Sequence, residues 1–114
     1  MPYIRIQTNR ELKDDAKQEI LKKTSLLVSK NLGKPEKYVM VRIDSAQPMM
    51  FAGSTSPCIF LELKSIGLPE SKTAALSKVL CQFLNDELKI SSERVYIEFS
   101  DVQDSMWGWN SETF

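Results

Sequence analysis

The sequence predicts an α+β domain in which two β-α-β repeats give a four-stranded mixed sheet with two helices on one face. Three observations carry this. Four short segments alternate apolar and polar residues with period two, and two longer segments carry apolar residues at helical spacing. Their order is strand-helix-strand, long loop, strand-helix-strand. The first and third strands start at Pro2 and Cys58, the second and fourth at Tyr38 and Val95. These offsets are nearly equal although side-chain identities are not repeated, so the duplication is architectural.

Residues 2–8 read as the first strand. Between 11 and 32, Leu12, Ala16, Ile20, Leu27 and Val28 mark one helical face, with Lys and Glu on the other. Gly33 suits the C-cap and Pro35 prevents continuation. Residues 38–44 form the second strand, and the Pro/Gly/Ser/Thr stretch 45–57 reads as a loop with a short ribbon. The third strand is 58–66. Between 70 and 89, Leu76, Val79, Leu80, Phe83, Leu84 and Leu88 follow helical spacing, and Pro69 suits the first turn. The fourth strand is 95–100, and residues 103–114, with both tryptophans, are too aromatic for a free end.

Right-handed crossovers place both helices over Ile4, Ile6, Val39, Val41, Ile43, Ile59, Leu61, Leu63, Val95, Ile97 and Phe99. The other sheet face then presents Tyr3, Arg5, Gln7, Tyr38, Met40, Arg42, Phe60, Glu62, Lys64, Tyr96 and Glu98. So many aromatics among long charged chains point to packing against another subunit in a closed homo-oligomer.

Composition narrows the function. The 114 residues carry 15 Lys+Arg against 15 Asp+Glu, and this neutrality argues against a nucleic-acid partner. There is no histidine, which excludes a Ser-His-Asp triad, a Cys-His pair and a His-ligated metal. The apolar runs are too short for a membrane span, and residues 1–7 lack a signal-peptide pattern, so the chain is expected to be cytoplasmic. Cys58 and Cys81 match no metal or redox spacing and read as buried small hydrophobes.

Pro2 is the sharpest single feature. Loss of Met1 would leave it a free secondary amine, at once base and nucleophile. An apolar pocket and a nearby lysine would lower its pKa, since both disfavour the cation. A neutral amine removes a proton α to a carbonyl. If Met1 stays, Pro2 is an amide nitrogen and no base. From position alone the plain processing site is the commoner case.

Pro2 with Thr8-Asn9, Gly33-Lys34-Pro35, Pro57-Cys58, Ser65-Ile66-Gly67, Arg94-Val95-Tyr96-Ile97 and Gly108-Trp109-Asn110 stand in the order and spacing of a known family. The sequence resembles the macrophage migration inhibitory factor family of the tautomerase superfamily. The match runs from Pro2 to Phe114, implying a single tautomerase-like domain over residues 1–114. It implies a homotrimer with active sites at subunit interfaces and a cofactor-independent keto–enol tautomerase of phenylpyruvate-type, or dopachrome-type, α-keto acid substrates. Pro2 matches the catalytic base, with no metal and no organic cofactor involved. Lys34 matches the lysine that pairs with the substrate carboxylate; without the resemblance it is a solvated cation past a helix end. Ser65 and Ile66 match the pocket backbone, Ile66 offering its N–H. Tyr96 matches a tyrosine supplied by a neighbouring subunit. Tyr38, Trp109 and Phe114 match aromatic wall positions, for which plain packing is an equal reading.

Three positions depart from the animal cytokine's pattern. Glu98 replaces a pocket asparagine, where its charge would repel a substrate carboxylate and favour protonated Pro2. Trp107 replaces a small aliphatic rim residue and narrows the entrance. Leu61 replaces the second cysteine of a Cys-x-x-Cys, so thiol-oxidoreductase activity is not expected. The rival class is a cytokine-like protein-binding trimer with a vestigial pocket, or a structural oligomer; a protein receptor is not inferable from the sequence.

Overall fold

Alternation decides which residues meet the helices. In the computed structural model, which describes residues 1–114, β1 (Tyr3–Thr8) buries Ile4, Ile6 and Thr8 and turns Tyr3, Arg5 and Gln7 outward. β3 (Ile59–Ile66) buries Ile59, Leu61, Leu63 and Ser65 in the same way. These two strands pair antiparallel at the sheet centre. β2 (Met40–Asp44) adds parallel to β1 and β4 (Val95–Val102) parallel to β3, giving the order β2-β1-β3-β4. The predicted covered face is the observed one, with Val39, Val41, Ile43, Ile97 and Phe99 partly buried at its margins.

Helix α1 (Asp14–Leu32) begins three residues later than the periodicity predicts. Asp14 and Asp15 stand in its first turn, where carboxylates complement the unpaired N–H groups and the helix dipole. Its core stripe is Ile20, Thr24, Val28 and Leu32. Thr24 was not among the expected face residues, and its buried hydroxyl has no hydrogen-bond partner. Gly33 ends the helix in the left-handed region at φ 64°, a conformation that glycine adopts without strain.

Pro69 opens a 3₁₀ turn (Glu70–Lys72), and the α-helix α2 follows over Thr73–Leu88. Leu76, Leu80, Leu84 and Leu88 recur every four residues and form its buried stripe. Burying each such side chain contributes about 1.5–3 kcal/mol, which makes this stripe the helix's main attachment to the sheet.

Two boundaries differ from expectation. Tyr38 is not on the outer sheet face: it closes a 3₁₀ turn (Glu36–Tyr38) that Pro35 starts, and β2 begins at Met40. β4 runs on to Val102 because its pairing with β3 continues to Ile66↔Val102. Within 45–57 the expected ribbon is a single bridge, Phe51↔Ser54. The tail folds into a hairpin of β5 (Gly108–Trp109) and β6 (Glu112–Thr113), with Asn110 and Ser111 both at positive φ as a two-residue hairpin turn demands. Cys58 is buried as expected, but Cys81 is only half-buried, and burial pushes its thiol pKa up. No helix is long and apolar enough to cross a membrane.

Candidate active site

Parallel pairing of β1 with β2 puts their starts together, and antiparallel pairing of β1 with β3 brings the end of β3 to the same edge. β4 runs parallel to β3, so the aromatic tail also emerges there. One end of the sheet therefore gathers Pro2, the 34–39 turn, Ser65-Ile66 and residues 107–114.

Pro2 is fully buried, and its carbonyl accepts a 3.0 Å hydrogen bond from the Met40 N–H. Lacking an N–H itself, proline loses nothing at this first position. It lines a cavity of about 390 Å³ together with Tyr38, Trp107, Trp109, Phe114 and Lys64. The aromatic wall is mutually braced. Tyr38 meets Trp109 and Phe114 edge-on at 5.6 and 6.1 Å, while Trp109 and Phe114 stack at 5.6 Å with 17° between planes. The Phe114 N–H donates to the Trp107 carbonyl at 3.2 Å, fastening the chain end over the cavity.

Lys34 follows the helix cap, where its N–H donates to the Ser29 carbonyl and the Ser29 hydroxyl donates to its own carbonyl. The Lys34 Nζ donates to the Ile66 carbonyl at 3.2 Å, so these two predicted residues do meet. Ser65 is buried, and its hydroxyl donates to the same carbonyl at 3.4 Å. Lys34, Ser65 and Ile66 stand beside the cavity rather than in its wall. Lys34 acts through charge. The N-terminal amine, here on Met1, has a lowered pKa, first because burial disfavours the cation and second because Lys34 repels it.

Tyr96 and Glu98 do not reach this cavity. Tyr96, the second residue of β4, stands at the far end of the sheet, 63% exposed, with its ring 4.6 Å from that of Phe51. Glu98 is exposed and faces Glu62 across the β3–β4 pairing. Sequence reasoning placed Tyr3, Met40 and Lys64 on the outer face and Val39 on the covered face without assigning them to the site, and it did not single out Lys37; all five line the cavity. Alternation names a residue's face but not its end of the sheet. No group of three His, Cys, Asp or Glu side chains is placed to hold a metal ion.

The profile of the family described as Macrophage migration inhibitory factor (MIF) matches residues 1–114. The chain belongs to the MIF family. It thus falls within the tautomerase superfamily, as the resemblance implied. A MIF homolog of Wuchereria bancrofti is 43% identical over 116 residues, covering 100% of this chain and 99% of that protein. The MIF of Xenopus tropicalis is 37% identical over 117 residues, again covering 100% and 99%. Among solved structures, a MIF homologue from Prochlorococcus marinus superposes with a TM-score of 0.92 at 41% identity, covering 98% of each chain. MIF from Trichinella spiralis gives 0.90 at 37% identity, covering 98% of this chain and 99% of that one. These MIF relatives match over the whole length, so both β-α-β units and the tail that closes the cavity belong to the family fold.

Proposed function

We propose that this MIF-family protein is a cofactor-independent keto–enol tautomerase of phenylpyruvate-type α-keto acids, with Pro2 as base and acid once Met1 is removed. The observation that carries this is the setting of Pro2: fully buried, in an aromatic-walled cavity, beside a lysine. The surroundings that lower the pKa of the Met1 amine would act on a Pro2 amine one residue further in. Both effects favour the neutral, basic form of that amine over its cation.

The neutral amine takes a proton from the carbon next to the keto group, and the keto oxygen gains a proton as the enol forms. In the reverse direction the prolinium returns a proton to carbon and the enol hydroxyl loses one. Lys34 and the Ile66 N–H hold the substrate carboxylate. Tyr96 of a neighbouring copy, in a homotrimer, steadies the oxygen on which charge develops. Exposure of Tyr96 and its distance from its own chain's Pro2 support this division of labour.

The test follows phenylpyruvate enol-to-keto conversion by absorbance, on protein whose intact mass shows that it starts at Pro2. Pro2→Gly, processed the same way, is the control. Loss of turnover in the variant is expected. Wild-type turnover no higher than the variant's overturns the assignment.

A further inference from the structure

The outer sheet face carries Arg5, Arg42 and Lys64 with Asp44, Glu62 and Glu98, yet Lys64 is paired with none of these carboxylates. Asp44 accepts from Arg5 Nε at 2.9 Å and from Arg42 Nε at 3.1 Å. Glu62, the acidic neighbour of Lys64 along β3, lies 3.8 Å from Arg5. Lys64 itself sits opposite Tyr3 on β1 and Ser100 on β4, neither of which carries a carboxylate. It makes no ion pair, although it is half-buried and lines the cavity. The cavity wall contains no Asp or Glu.

A second cation reaches the same strand from the turn after α1. The Lys34 Nζ is held on the Ile66 carbonyl, two residues beyond Lys64. Two residues of β-strand advance about 6.7 Å. Both lysines therefore stand at the end of the sheet where β1 starts, Lys64 opposite Tyr3 and Lys34 on the next outward residue of β3.

We propose that Lys64 forms a second anion subsite and that the site takes α-keto acids bearing a second carboxylate. This rests on the tautomerase reading for which carboxylate Lys34 holds. Lys34 takes the carboxylate next to the keto group, and Lys64 takes the distal one. A monoanionic keto acid leaves Lys64 half-desolvated and unpaired, whereas a diacid supplies the missing counter-charge.

The matched probes are 2-oxoglutarate and 2-oxopentanoate, which have the same five-carbon chain and differ in the distal carboxylate. Quenching of Trp107 and Trp109 in the cavity wall reads binding without requiring turnover. The proteins are wild type, Lys64→Gln and Lys64→Arg, all starting at Pro2. The expected result is that Lys64→Gln lowers the diacid-over-monoacid affinity ratio about tenfold, the size of one charge-assisted hydrogen bond. Lys64→Arg should keep most of the ratio. A ratio unmoved within twofold in Lys64→Gln, or one that Lys64→Arg lowers as much, overturns the subsite. Phenylpyruvate turnover, measured in parallel on the same samples, tests the tautomerase reading separately. Lys64-dependent diacid binding without turnover would overturn that reading and leave the subsite standing.

Discussion

Arg94 joins the long 45–57 loop to the start of β4, and its replacement by alanine should loosen that loop before anything else. Its guanidinium donates to four backbone carbonyls: Phe51 at 2.8 Å, Ser54 at 3.1 Å, Ser56 at 2.8 Å and Pro57 at 3.3 Å. It also lies 5.1 Å from the centre of the Phe51 ring. The Ser56 and Pro57 residues are exposed, so water replaces those bonds at little cost. The Phe51 and Ser54 bonds are half-buried, and each is worth about 1 kcal/mol net. Contact with the Phe51 ring adds about 0.5 kcal/mol.

Arg94→Ala should therefore destabilise by about 2.5 kcal/mol, or lower Tm by about 10 °C for a domain of this size. Arg94→Lys keeps the charge but not the fork and should fall between. Thermal unfolding at one fixed protein concentration reads the shift. Amide exchange reads where it arises: the mutual Phe51–Ser54 bonds, at 2.9 and 3.0 Å, should open faster while α1 and α2 keep their protection. A Tm within 1–2 °C of wild type would refute this account of the loop. So would faster exchange spread evenly over the helices.

Three further outcomes follow from the same structure. Thr24→Val removes a buried hydroxyl that has no partner and keeps the shape, so it should raise stability by up to about 1 kcal/mol in urea unfolding. Burial and, second to it, the Lys34 charge lower the pKa of the N-terminal amine; Lys34→Ala removes the second cause, so the pKa rises part of the way and the neutral, basic fraction shrinks at low pH. The rising limb of kcat/KM should then move to higher pH, with a larger loss at pH 6 than at pH 9; a uniform loss would leave Lys34 a carboxylate anchor alone. Mixing Pro2→Gly with Tyr96→Phe subunits should create about a quarter of fully wild-type sites in a 1:1 random cyclic assembly. Activity of the re-assembled mixture equal to the mean of its parents would contradict a shared site.

Much of the fold was legible because alternation reports burial directly. β1 and β3 are buried at every second residue, and sequence alone selects Ile4, Ile6, Ile59, Leu61 and Leu63. Where the reading slipped, a local preference competed with the pattern. Leu12 continues the apolar spacing, but Asp14 and Asp15 are better placed as the first turn, so α1 starts there. Tyr38-Val39-Met40 alternates like a strand, yet Pro35 initiates a tight turn and holds Tyr38 at the cavity. In the site, Pro2, Tyr38, Trp107, Trp109 and Phe114 were legible through family resemblance and do line one cavity. Lys64 was legible only as a member of a face. Its place in the cavity depends on the tail folding back across that end of the sheet, through the Asn110-Ser111 turn and the Phe114–Trp107 hydrogen bond.

Topology explains why one chain does not complete the proposed site. Strands that run β2-β1-β3-β4, with only the central pair antiparallel, have two distinct ends. One end collects the starts of β1 and β2 and the finishes of β3 and β4, hence Pro2, Tyr38, Ile66 and the tail. The other collects the starts of β3 and β4, hence Tyr96 and the Arg94-clamped Phe51. The Tyr3↔Lys64 and Gln7↔Phe60 registers, with Phe60↔Tyr96, place Tyr96 nearly the full length of β1 from Pro2. At about 3.3 Å per residue that is about 16 Å along the strand, beyond the reach of a tyrosine side chain. A site that uses both residues therefore needs two copies of the chain, and the exposed Tyr96 is the group a neighbour would supply.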